Sequence, residues 1–125
     1  MALILDAGAL VAVERQERHV RSLIARNELR GTALITSAGV VAQVWRGVPR
    51  QANLARVLGG TEVRVLDQAA ARRVGELLGV TRTRDVVDAH VALLSHSEDA
   101  LLTSDPGDLS RLLDALAVAP LLVRV

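Results

Sequence analysis

Short, nearly unbroken apolar runs alternate along this chain with longer segments of helical spacing. That alternation constrains the fold more than any other feature. The runs are Ala2–Leu5, Ala33–Thr36, Glu62–Val65, Ala100–Thr103 and Leu121–Val125. A strand with one wet face alternates apolar and polar residues, whereas a continuous run fits a strand covered on both faces. Between the runs, Ala9–Glu28, Ser37–Leu58, Asp67–Leu78, Asp85–Ser97 and Pro106–Leu116 carry helical periodicity and good helix formers. Gly59–Gly60 and Gly79 are predicted helix ends, and Pro49 is expected to split the second segment. Strand–helix alternation from end to end predicts an α/β fold with a mostly parallel sheet and helices on both faces. At 125 residues it predicts a single domain, residues 1–125.

Composition removes several function classes. Trp45 is the only aromatic residue, so the stacking platforms used by single-strand RNA-binding modules are missing. The formal net charge is +1, and all fifteen basic residues are Arg. Global charge therefore does not draw the chain to nucleic acid, but local Arg groups can grip phosphate or carboxylate with paired hydrogen bonds. An Arg- and Ala-heavy composition also follows from a GC-rich genome. Without Cys there are no disulfides, thiolate metal sites or thiol nucleophiles. The apolar start lacks a basic leader and is interrupted by Asp6, unlike a signal peptide. No apolar run reaches the ~18–20 residues of a membrane span. A cytoplasmic protein with no membrane partner is expected.

In parallel α/β sheets, ligands bind beyond the carboxyl ends of the strands, where the strand order reverses. The residues just after the predicted strands are Asp6, Ser37, Asp67 and Asp105. Helix capping accounts for Asp at such places, because its carboxylate accepts orphan N–H groups. Asp67 in LDQAAARR fits that role, and SDPGDL fits it too, with Pro106 at the first helical position and Asp108 in the first turn. The segment TRDVVDAHVALL needs more. Asp85 can cap its helix, but Asp88 lies a turn inside, on the same face. If Asp6, Asp88 and Asp105 converge, their repulsion calls for a cation. Carboxylates without His or Cys favour a hard ion, Mg²⁺ or Mn²⁺, and such a site can bind a phosphodiester and activate water.

Four motifs in order, ILDAGALVAV, TSAGVVAQVWRG, DVVDAHVALL and LLTSDPGDL, resemble the PIN domain over essentially the whole chain. The short length and VWRG are similar to the VapC-type toxins of bacterial toxin–antitoxin pairs. The resemblance implies a three-layer α/β/α sandwich around a central sheet of four or five strands. It also implies a Mg²⁺- or Mn²⁺-dependent endoribonuclease site, a homodimer and a cognate antitoxin. Asp6, Asp88 and Asp105 match the family's first, third and fourth acidic positions and are the expected metal ligands. At the second position, where the family carries Glu, this chain has Gln43, which keeps the shape but loses a charge. Asp85 is then the expected fourth acid. Thr103 and Ser104 are candidates to orient carboxylates or contact phosphate, and Arg46 and Arg84 are candidate phosphate contacts.

Other readings weaken on inspection. A receiver domain needs a Lys near its last strand, and the chain has none; a Rossmann-type turn needs more than the single Gly of DAGALVA. The alternative that stands is a PIN-like protein with little or no catalysis that binds RNA or a protein partner. His90 and His96 fall on different helix faces, so both read as packing or surface groups. Trp45 reads as an anchor in the core or at an interface.

Overall fold

The computed structural model describes residues 1–125. Five strands, β1 (Ala2–Leu5), β2 (Ala33–Ser37), β3 (Thr61–Arg64), β4 (Ala100–Thr103) and β5 (Leu121–Arg124), form one parallel sheet in the order β3-β2-β1-β4-β5. Seven helices surround it: α1 (Ala7–Glu14), α2 (Arg18–Arg30), α3 (Ala38–Val44), α4 (Ala52–Gly59), α5 (Gln68–Thr81), α6 (Val86–Leu94) and α7 (Pro106–Leu116). A single 3₁₀ turn, Pro49–Gln51, precedes α4. Helices α1, α2 and α4 pack together, and α5, α6 and α7 pack as a second group, giving the expected layers.

The chain leaves β1 towards β2 and β3, then returns to the other side of β1 to lay down β4 and β5. The order therefore reverses between β1 and β4, and their carboxyl ends are where parallel α/β sheets bind ligands. Register brings Leu5 opposite both Thr36 and Leu102, so Asp6, Ser37 and Thr103 stand at one level along that edge. Ile4, Leu5, Leu101 and Leu102 are fully buried there. At the opposite edge the buried Asp99 accepts the Ala2 N–H at 2.7 Å and the His96 N–H at 2.9 Å. These bonds hold the start of β1 to the turn before β4.

The boundaries of β1, β4 and α7 agree with expectation, and three other features differ. The first helical segment is two helices, because Gln16 takes a left-handed backbone (φ 56°) and Glu17 restarts the chain in extended form. No Gly or Pro marks that break. Gly79 lies inside α5, which continues to Thr81 and ends on left-handed Arg82. The outer strands β3 and β5 are largely exposed edges and are not covered on both faces.

Burial ranks the strands energetically. Leu101→Ala is expected to cost about 2–5 kcal/mol in denaturant unfolding, from lost transfer energy and a cavity. Leu121→Ala, at an exposed edge position, is expected to cost less than about 0.5 kcal/mol.

Candidate active site

Asp6 closes β1 and opens α1. Its Oδ1 accepts the Ala7 N–H at 2.8 Å, and its Oδ2 accepts the Thr103 hydroxyl at 2.9 Å. The Thr103 hydroxyl in turn accepts the Asp105 N–H at 3.0 Å, so one buried oxygen ties the ends of β1 and β4 together. The approach is close because residue 8 is Gly. A Cβ there would lie 2.4 Å from Ser104 Oγ and 2.9 Å from the Ser104 backbone N. The small residue after Asp6 thus does more than keep a groove open; it allows α1 to meet the end of β4.

Asp85 caps α6, accepting the Asp88 N–H at 2.9 Å, and so fixes the turn that carries Asp88. Asp105 occupies the N-cap position of α7 without making a side-chain cap bond. Its carboxylate instead meets Asp108, one turn on. The two helix starts repeat one pattern, Asp85-x-x-Asp88 and Asp105-x-x-Asp108.

Charge crowds this corner. The Asp88 carboxyl is pushed up to about 7, first by burial and then by the charges of Asp85, Asp6, Asp108 and Asp105. Asp6 is also raised, mainly by burial, against the lowering effect of its bonds to Ala7 and Thr103. Asp108 is raised by its hydrogen bond to the Asp105 carboxylate and by that group's charge. Helix capping does not explain this convergence. Asp108, read from sequence only as a first-turn acid, joins the cluster; its i,i+3 spacing from Asp105 is the available signal.

Hard oxygen donors with excess negative charge fit a divalent cation of the Mg²⁺ or Mn²⁺ kind. Even so, no three acidic or histidine side chains are gathered into a ready-made cage for an ion. Mutual repulsion among unneutralised carboxylates is a sufficient physical reason for that spread.

The remaining candidates sit as follows. Gln43 is exposed on α3, and its side chain makes no hydrogen bond to the acids. Arg46 donates to the carbonyls of Ala42, Gln43 and Trp45, closing the end of α3. Thr103 is fully buried, and its hydroxyl is engaged by the Asp6 carboxylate and the Asp105 N–H. Ser104 and Arg84 are exposed. Ser104 lines an open cleft of about 410 Å³ with Ala7, Gly8, Val11 and Arg15, the last a basic group that carries no motif or spacing to single it out. Trp45 is half-exposed beside Val41, Leu58 and Val63. His90 is buried, with Nδ1 2.6 Å from Ser37 Oγ, and burial lowers its pKa.

No family model matches the chain, and no curated protein matches it. Among solved structures it is similar to a chain in the crystal structure of VapBC2 from Rickettsia felis bound to a DNA fragment from their promoter. The TM-score is 0.68 at 14% identity, covering 100% of this chain and 99% of the other. The likeness is therefore one of fold.

Two outcomes follow. Thr103→Val strands the buried Asp6 Oδ2 and the Asp105 N–H, and is expected to cost about 1–3 kcal/mol in denaturant unfolding. For Asp88, the folded-state pKa lies above the ordinary value of 3.8, so the folded protein binds the proton more tightly. The carboxylate then destabilises the fold increasingly as pH rises from about 4 to about 7. In metal-free buffer Asp88→Asn is expected to melt above wild type at pH 8, with the gap closing near pH 4.

We conclude that this is an α/β/α fold of PIN-like architecture, with a cluster of acids at the strand-order reversal.

Proposed function

We propose that this chain is a Mg²⁺- or Mn²⁺-dependent endoribonuclease that hydrolyses RNA phosphodiester bonds, and that it is the toxin of a toxin–antitoxin pair. The observation that carries the reading is the crowding of Asp6, Asp85, Asp105 and Asp108 around the part-buried Asp88, whose carboxyl is pushed up to about 7 by burial first and by those charges second. Such a concentration of negative charge is relieved by a cation, and it lies where parallel α/β sheets bind ligands.

Asp6 and Asp105 would hold the ion from adjacent strand ends, with Asp88 holding it directly or through water. When bound, the ion polarises the phosphodiester and makes water a better nucleophile at neutral pH. Thr103 holds the Asp6 carboxylate, and Asp85 keeps the first turn of α6 in place beneath Asp88. Ser104 and Arg84, exposed at the rim, would contact substrate phosphate. Arg46 would do so only after releasing its carbonyl partners. Gln43 would hold a water or the substrate. A homodimer, a cognate antitoxin and a cytoplasmic location belong to the same reading; likeness of fold to a chain of the VapBC2 structure supports the partner. No helix is long and apolar enough to cross a membrane.

A second reading, a PIN-like protein that binds RNA or a partner with little catalysis, draws support from Gln43, which stands where the family carries Glu. Cleavage and metal binding separate the two. Wild type is expected to cut structured RNA with Mn²⁺ or Mg²⁺, and Asp6→Asn is expected to lose about 100-fold or more in rate. Gln43→Glu is expected to tighten Mn²⁺ binding in calorimetry by about tenfold, from one added carboxylate. Undiminished cleavage by Asp6→Asn defeats the proposed site. Absence of metal binding even with RNA present favours the second reading.

A further inference from the structure

A separate cleft of about 310 Å³ opens on the same carboxyl edge of the sheet, beside β3. Arg64, Asp67, Arg73 and His90 supply its polar lining. Arg64 is the last residue of β3, Asp67 and Arg73 come from α5, and His90 comes from α6. His90 lies two positions after Asp88 on the same helix, so the two side chains leave α6 in different directions. Asp88 turns towards the acids, and His90 turns towards the end of β2.

His90 is 97% buried (3% relative exposure), and only one of its ring nitrogens is hydrogen-bonded within the chain. Ser37 Oγ already accepts the Gly39 N–H at 3.0 Å, so its hydroxyl hydrogen is free to be donated to His90 Nδ1 at 2.6 Å. That assignment leaves the proton on Nε2. No fully buried side-chain nitrogen or oxygen lacks a partner, so the unbonded Nε2 keeps some exposure, and the cleft is the one that His90 lines. A buried imidazole with one unbonded ring nitrogen thus lines a cleft that two guanidinium groups also line. Arg64 engages Glu62 with one nitrogen only, in an exposed pair. Asp67 spends its Oδ1 on the Ala70 N–H at the start of α5, where the helix dipole offsets its charge.

We propose that this cleft is a phosphate subsite, in which His90 Nε2–H, Arg64 and Arg73 hold a backbone phosphodiester of the RNA strand away from the bond that is cut. The inference rests on the ribonuclease reading for the identity of its ligand. Two planar guanidinium groups and one imidazole N–H suit a phosphate oxygen, and they outnumber the single Asp67 carboxylate, whose Oδ1 is held by the Ala70 N–H. Two strand spacings, roughly 10 Å, separate β3 from β1, a distance that a strand lying along the carboxyl edge bridges within a few nucleotides. The shallow charge balance of the whole chain also fits grip by discrete Arg groups better than by a general field.

The test uses the three histidines as internal probes. Inorganic phosphate titrated into the ¹⁵N-labelled chain is expected to shift the His90 ring resonances while exposed His19 and His96 stay in place. The double variant Arg64→Gln with Arg73→Gln is expected to weaken that binding about tenfold. A single-stranded RNA oligonucleotide added in EDTA is expected to move the same His90 signal. Arg73→Gln alone is expected to lower the slope of log affinity against log salt by about 0.7. Phosphate that leaves His90 unmoved, or that moves all three histidines alike, overturns the subsite. Phosphate that shifts His90 when RNA does not overturns the assignment to RNA and points to an acidic protein segment. None of these readouts needs cleavage, so a wild-type chain that fails to cut RNA defeats the proposed activity and leaves this result intact.

Discussion

The hydroxyl of Thr103 is the contact on which the site depends. It donates to the Asp6 carboxylate and accepts the Asp105 N–H, so one buried atom fixes both acids that flank the strand-order reversal. Both bonds are internal and shielded, where an unmade partner costs more than a bond in water returns. Gly8 makes the contact possible by letting α1 lie against Ser104. Side chains larger than hydrogen at residue 8 would force apart the two chain ends that the hydroxyl joins.

Around that fixed point the fold gathers charge instead of dispersing it. Ordinary surface carboxylates stay apart and solvated, but here two helix starts aim acids at the end of β1. Each helix carries a pair at i,i+3, and Asp85 has an identified capping bond, while Asp105 makes none. Burial first, and these charges second, push the Asp88 carboxyl up to about 7. Folding energy is spent holding like charges together, and functional sites are where proteins commonly do so.

Much of this was legible in the sequence because it follows local rules. The apolar runs of β1 and β4 and the Asp-Pro start of α7 bound those elements without ambiguity. Asp6 and Asp105 were legible as strand-end acids, and Asp88 as an acid that capping cannot explain. The break at Gln16 was not legible, since a left-handed non-glycine residue has no strong sequence mark. Gly79 misled for the converse reason: tertiary packing carried α5 past it. Asp108 hid behind its agreement with the helix dipole; Thr103 was legible as a candidate hydroxyl, but its bonds to Asp6 and Asp105 needed the tertiary structure. The orientation of His90 towards Ser37 needed the tertiary structure, because the two residues are 53 apart in the chain.

The central claim is that the acids form a cation site that is incomplete in charge until an ion binds. Carboxyl ¹³C titration of Asp88, with and without Mg²⁺, measures it most directly. The account predicts an apparent pKa near 7 in metal-free buffer and a fall of more than about one unit with saturating Mg²⁺. A metal-free value near 4, or a value near 7 that Mg²⁺ leaves unchanged, would contradict it.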